Sequence, residues 1–426
     1  MSTKSIIIFF LLIIFSCRPQ FQQQQILPEQ KKQEVESPLS SVDTFMLGID
    51  NFMSKYLHLV QNKRIALLTN PSGVNSHLRA TSDLLFENKN IRLVAFFGPE
   101  HGIRGAMHAG VKVADTIDSL TGLPVYSLYG NKYKPTRESL ENIDVILVDI
   151  QDIGLRGYTY IYTMAKVMIS AAENNKKVIV LDRPDPLGGL QVEGNLTEKD
   201  FFSMVGLYPI PYRPGMTIGE LAGLFNEEYD IHCDLEIVPM RGWQRSMYWN
   251  ETGLNWVPTS PHVPHWETIL FMAATGTIGE LNTLSEGVGY TSPFEIIGAP
   301  WIDGIRYAQE LNALHLPGVY FRPLYFKPYY LTYSGQICQG VQLHITDRKK
   351  FSPYVTGLYI MQTHLQLYPD QNLFSKADRI DMFSKVVGTD KIMKMLIKKI
   401  PVSEIEQSWQ EELSMFLKIR EKYLIY

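Results

Sequence analysis

The sequence predicts an α/β fold: a Rossmann-like N-terminal domain followed by a smaller α+β C-terminal domain. Three observations predict it. From residue 64 onward, short continuous apolar runs alternate with segments whose apolar residues recur at helical spacing, the pattern of a parallel sheet covered on both faces. Polar loops rich in Gly and Pro follow the carboxyl ends of those runs, where open α/β sheets place their ligand crevice. After about residue 265 the texture changes to proline- and aromatic-rich strand pieces, then to amphipathic helices.

The chain opens on MSTKSIIIFFLLIIFS (1–16), with a basic Lys4 and an apolar run from Ile6 to Phe15. That run is too short to span about 30 Å of hydrocarbon and reads as a signal peptide. Ile14-Phe15-Ser16 before Cys17 resembles a bacterial lipobox, which implies cleavage and lipidation at Cys17 and a protein held on a membrane by its acyl chains. Residues 17–44, rich in Gln, Glu, Lys and Pro, read as a flexible tether. The Rossmann-like domain is expected over 45–265, with strands at Arg64–Thr69, Ile91–Phe97, Asp144–Ile150, Val178–Asp182 and Leu235–Pro239. Helical spacing covers Thr159–Asn174 and Met216–Tyr229, and Thr217 three residues before Glu220 is a capping-box signature. Residues 266–426 form the second domain, with strand pieces within Trp301–Gln342 and helices at Pro353–Leu367, Asp381–Val387, Lys391–Lys399 and Ser403–Leu424.

Composition narrows the function. With 426 residues, 45% hydrophobic and 20% charged, the chain has room for two domains and is not a disordered one. Forty Lys and Arg against 44 Asp and Glu give a net charge of −4, so no basic excess exists to neutralise phosphates and no nucleic-acid partner is expected. Cys233 and Cys338, far apart, imply no disulfide scaffold. Neither G-x-G-x-x-G nor G-x-x-x-x-G-K-[ST] follows a strand, so no dinucleotide or nucleotide cofactor is expected. The absence of G-x-S-x-G removes support for acyl transfer by a serine.

Chemistry-bearing residues gather at strand ends. Gly98-Pro99-Glu100-His101-Gly102-Ile103-Arg104 sets a carboxylate, an imidazole and a guanidinium on one loop, where partial burial can poise an acid or base. Asp149, Gln151, Asp152, Arg156 and Tyr158 follow the third apolar run; Asp152 also suits a helix cap. Arg183, with Asp182 and Asp185 on a Pro/Gly loop, precedes Glu193, and Arg213 comes later. Such groups suit hydroxyl and carboxylate recognition, or a purely structural turn. His262, His265 and Glu267 invite a metal reading, but the prolines between them prevent a helix from aligning the histidines, and no metal is expected. Glu286, Tyr290 and Glu295 lie on a Gly-rich loop in the interdomain region, where clefts tend to form.

Several longer strings share one resemblance: LLTNPSGV (67–74), FGPEHGIRG (97–105), AGVKVADTIDSLTGLPVYSLYG (109–130), VDIQDIGLRGYTYIYTM (148–164), VLDRPDPLGG (180–189), PYRPGMTIGELA (211–222), PTSPHVPHWET (258–268) and LSEGVGYTSPFEIIGAPWID (284–303). The chain resembles the NamZ-type exo-β-N-acetylmuramidases from about residue 45 to its C-terminus. The resemblance implies release of N-acetylmuramic acid from the non-reducing end of peptidoglycan fragments, with the active site in the cleft between the domains. It maps the family's proposed catalytic Glu to Glu100, here read as the general acid, with His101 beside it and a muropeptide or muramyl disaccharide as substrate. A second carboxylate is needed about 5–5.5 Å away for retention or 6.5–9.5 Å for inversion. Asp149, Asp152, Glu193, Glu286 and Glu295 are its candidates, and the substrate's N-acetyl group is a further possible nucleophile. Arg104, Arg156, Arg183 and Arg213 are the candidate selectors of the muramyl carboxylate, with Gln151, Tyr158 and Tyr290 as further substrate contacts. An exported, membrane-anchored, periplasm-facing lipoprotein fits that activity. The rival readings are a glycan-binding lipoprotein without catalysis and a metal-dependent hydrolase.

Overall fold

The computed structural model describes residues 45–105, 114–130 and 132–426. The expected signal peptide (1–16), Cys17 and the tether (17–44) lie outside the described residues; among the described residues no helix is long and apolar enough to cross a membrane. The strands are β1 (Arg64–Thr69), β2 (Arg92–Gly98), β3 (Thr116–Ile117), β4 (Pro124–Ser127), β5 (Val145–Asp149), β6 (Lys177–Leu181), β7 (Glu193–Leu196), β8 (Pro211–Arg213), β9 (Asp234–Val238), β10 (Ile296–Ala299), β11 (Val319–Phe326) and β12 (Cys338–Ile345). Each of the five expected N-terminal strands is present to within one residue at either end.

Seven described strands form one sheet in the order β3-β4-β2-β1-β5-β6-β9. All neighbours are parallel except β3, which runs antiparallel to β4 at the edge. Numbered by appearance, the parallel strands lie 3-2-1-4-5-6, the Rossmann order. Side chains alternate across a strand, so Ile65, Leu67, Leu147, Ile179 and Leu181 enter one core. Ala66, Leu68, Ile146, Val148, Val178 and Val180 enter the other. Burial on both faces is why these strands read as unbroken apolar runs. Helices Tyr160–Glu173 and Ile218–Glu228 cover the second face. The Thr217–Glu220 capping box forms as expected, with Glu220 N–H donating to Thr217 Oγ1 at 3.2 Å and Thr217 N–H to the Glu220 carboxylate at 3.0 Å.

Beyond Glu267 the chain builds a three-stranded antiparallel sheet, β10-β12-β11, and a set of helices. Pro323 sits in β11 at the sheet edge, where its missing N–H breaks no inner ladder. The single helix expected over Ser403–Leu424 is divided into Val402–Gln407 and Gln410–Arg420. Trp409, buried against Tyr354 at 5.9 Å between ring centres, leaves helical geometry at the break. Helix Thr268–Gly279 packs tightly on Pro353–Leu367: a Cβ at Gly357 would come within 2.2 Å of the Ala274 carbonyl. The core of the Rossmann sheet continues without interruption through Ala273, Leu358, Phe383 and Leu413.

Candidate active site

At the end of β2, a turn closed by Gly102 N–H donating to Pro99 O at 2.9 Å swings Glu100 out of the sheet. His101 adopts φ +71°, a left-handed conformation unusual for a residue with a Cβ, and Gly102 follows at +73°. Strain of this kind is held where surrounding structure fixes it, often at a working loop. Glu100 is half-buried and accepts from Thr159 Oγ1 at 3.1 Å. Thr159 stands at the N-cap of helix Tyr160–Glu173, yet its hydroxyl makes no capping bond there. The usual use of an N-cap threonine is to cap its helix; here it holds the carboxylate. The Tyr129 phenol hydrogen-bonds the same carboxylate, and burial together with that negative charge pushes the phenol's pKa up.

Glu100, His101, Tyr129, Tyr158 and His262 line a cleft of about 700 Å³ whose opposite wall includes Glu280, Glu286, Tyr330 and Arg379 from beyond residue 267. Burial pushes the Glu286 carboxyl up to about 7; nearby Glu280 adds to the rise and Arg379 opposes it. A Cβ at Gly279 would lie 2.7 Å from the Glu286 carboxyl carbon, so a side chain at 279 would push the carboxyl from this position. Across the cleft mouth, His262 Nε2 and Tyr330 Oη are hydrogen-bonded at 3.0 Å. Tyr158 donates to Thr259 Oγ1 at 2.9 Å and fixes the wall behind them.

Of the five candidates for a second carboxylate, the structure brings only Glu286 into the cleft with Glu100. Asp149 is fully buried and paired with Arg183, Nε to Oδ1 at 2.6 Å and Nη2 to Oδ2 at 2.8 Å. Asp152 closes a turn by accepting from Gly154 N–H at 2.8 Å, and burial pushes it up to about 7. Glu193 accepts from Val355 N–H at 3.0 Å and is likewise pushed up to about 7 by burial. Glu295 lines a separate hollow with Trp266 and His344.

The four expected arginine selectors lie elsewhere, each engaged by the protein itself. Arg104 makes a two-pronged bond to Asp118, both distances 3.1 Å. Arg183 holds Asp149. Arg213 donates to Gln191 and to the Leu187 carbonyl, both at 2.5 Å. Arg156 is wholly buried and donates to the carbonyls of Asn195, Ile210, Val386 and Val387. Gln151 donates to the Asp152 and Pro184 carbonyls. Tyr290 does not line the cleft; it stacks on Tyr329 at 5.8 Å.

In Rossmann sheets the ligand crevice opens where the strand order reverses, here between β1 and β5. Ser72, Gln151 and Arg183 reduce that position to a hollow of about 10 Å³, room for one water. The working cleft is displaced one strand over, to the end of β2. Among the described residues no three His, Cys, Asp or Glu side chains converge as metal ligands. His262 enters the cleft, whereas Glu267 lines the hollow of Glu295. Cys233 and Cys338 are both free and buried. Sequence reasoning missed Tyr129, Thr159, Glu280 and Arg379. Tyr129 carried a usable signal, following a short strand in the string SLYG; Arg379 carried none.

Fold and cleft together define a two-part α/β protein whose reactive groups are carboxylates, the equipment of a glycoside hydrolase. Residues 65–267 match the profile described as exo-beta-N-acetylmuramidase NamZ, N-terminal, and residues 270–426 match its C-terminal counterpart. The chain belongs to the exo-β-N-acetylmuramidase NamZ family. It is 47% identical over 399 residues to the peptidoglycan beta-N-acetylmuramidase NamZ of Bacillus subtilis (strain 168), covering 94% of each chain. A crystal structure of a DUF1343 family protein from Bacteroides fragilis NCTC 9343 superposes with a TM-score of 0.86 at 44% identity, over 90% of this chain and 99% of that one. A second such protein from the same organism gives 0.74 at 30% identity, with the same coverage.

Proposed function

We propose that this protein is an exo-acting glycoside hydrolase that releases N-acetylmuramic acid from the non-reducing end of peptidoglycan fragments in cell-wall turnover. The observation that carries the reading is the pair Glu100 and Glu286, one from each family segment, lining a single cleft. Glycoside hydrolysis asks for two carboxyl groups in opposite states of protonation. Glu286, pushed up to about 7, is still protonated in a large share of molecules at neutral pH, and that form protonates the departing glycosidic oxygen. Glu100, oriented by Thr159 and Tyr129, acts on the anomeric carbon, directly or through water. The acid role expected of Glu100 thus passes to Glu286. Release of free sugar from a chromogenic β-N-acetylmuramide tests the activity; tight binding of muramyl fragments without release would favour a glycan-binding protein instead.

A pH profile tests the roles. The active form carries a proton on Glu286, so kcat/KM falls as pH rises through about 7, tenfold per unit beyond it. Glu286→Gln should lose that descending limb along with most of its turnover. A wild-type profile flat between pH 6 and pH 8 would remove Glu286 as the acid.

The same proposal includes export and anchoring at Cys17, supported by the apolar run Ile6–Phe15 and the lipobox-like residues before Cys17. Expressed in a bacterium fed labelled palmitate, the wild type takes up label and Cys17→Ser does not. Equal labelling of the two proteins sinks the anchor.

A further inference from the structure

N-acetylmuramic acid differs from N-acetylglucosamine by a lactyl ether that ends in a carboxylate, and a cleft selecting the first must hold that charge. Four arginines suited to the task by sequence are engaged within the fold. Arg379 is the arginine that lines the cleft among the described residues. Its side chain is 46% exposed, and a terminal nitrogen lies 3.0 Å from Glu280 Oε2. The guanidinium offers five N–H donors in a planar fork, so an ion pair through one terminal nitrogen leaves an edge for a second carboxylate. Glu100, Glu280 and Glu286 all line the same space, and among its described lining residues Arg379 is the one Lys or Arg that can offset them for an anionic sugar.

We propose that Arg379 selects substrate by binding the lactyl carboxylate, with Glu280 holding the guanidinium in position. The assignment rests on the muramidase reading and names the group that gives it specificity. Arg379 stands immediately before helix Ile380–Val387, whose last carbonyls are held by Arg156. The selector is therefore carried on a rigid element. It also lies close enough to Glu286 to act on that carboxyl's charge, so binding the lactyl group aligns the same sugar with its acid.

The test uses wild type, Arg379→Lys and Arg379→Gln with a chromogenic β-N-acetylmuramide and with the same compound carrying a lactyl amide. Competition by free N-acetylmuramic acid and by N-acetylglucosamine is measured alongside. In the wild type the acid is preferred over the amide. Arg379→Gln should reduce that preference about 10- to 100-fold, the worth of a charge-assisted hydrogen bond, chiefly through KM, and reduce competition by N-acetylmuramic acid by the same factor. Arg379→Lys, which keeps the charge and loses the fork, should fall between. An unchanged acid-to-amide ratio in Arg379→Gln, or equal losses on both substrates, overturns the assignment and leaves the muramidase reading standing. No turnover of either substrate by the wild type, with no difference between N-acetylmuramic acid and N-acetylglucosamine in binding measured by calorimetry, overturns reading and assignment together.

Discussion

Glu100→Gln yields a folded protein whose kcat on a β-N-acetylmuramide is lower by about 10²- to 10⁴-fold, the usual contribution of a positioned acid, base or nucleophile. The amide oxygen of Gln still accepts from Thr159, and the half-buried side chain keeps its shape, so thermal unfolding should coincide with that of the wild type. KM should change little, because the lost interaction belongs to the reacting centre. Variant activity within about threefold of wild type would move the catalytic carboxylate away from Glu100. The outcome matters because the His101–Gly102 turn and the diverted N-cap of Thr159 both serve to place this one group.

Arg183→Met is expected to lower the free energy of unfolding by about 3–5 kcal/mol, measured by urea denaturation, because Asp149 is left as a buried charge without its cationic partner. Asp149→Leu should cost a similar amount by stranding the guanidinium. Replacing both residues should recover most of the loss, since a buried pair is worth far less than its broken halves. Asp149 also accepts from Thr81 Oγ1 at 2.5 Å, so recovery in the double variant stops short of complete. Equal destabilisation in all three variants would assign the pair a net stabilising role beyond mutual compensation.

Much of the Rossmann half was legible because two-sided burial writes itself as continuous apolar runs, and Arg64–Thr69 marks a strand without help from its neighbours. The loop at Glu100 was legible too, since Gly and Pro punctuate the strand end on which a carboxylate and an imidazole sit together. What the arginines do was not. Arg156 and Val387 are brought together only by the finished fold, and nothing near Arg156 distinguishes a guanidinium bound for carbonyls from one bound for substrate. Glu286 and Glu295 belong to one loop and look equivalent in sequence; only the fold sends the first into the cleft and the second to another hollow. Arg379, standing just before an ordinary helix, acquires significance only through Glu280 and Glu286.

The guanidinium of Arg156 bears on inheritance. Among the described residues its charge has no carboxylate partner; two carbonyls from the first family segment and two from the second solvate it. A gene fusion that joined the first segment to an unrelated neighbour would bury a cation with half its ligands missing, a cost of several kcal/mol against a typical stability of about 5–15 kcal/mol. The two segments are therefore poor currency for domain shuffling, and are expected to travel through evolution as one cassette.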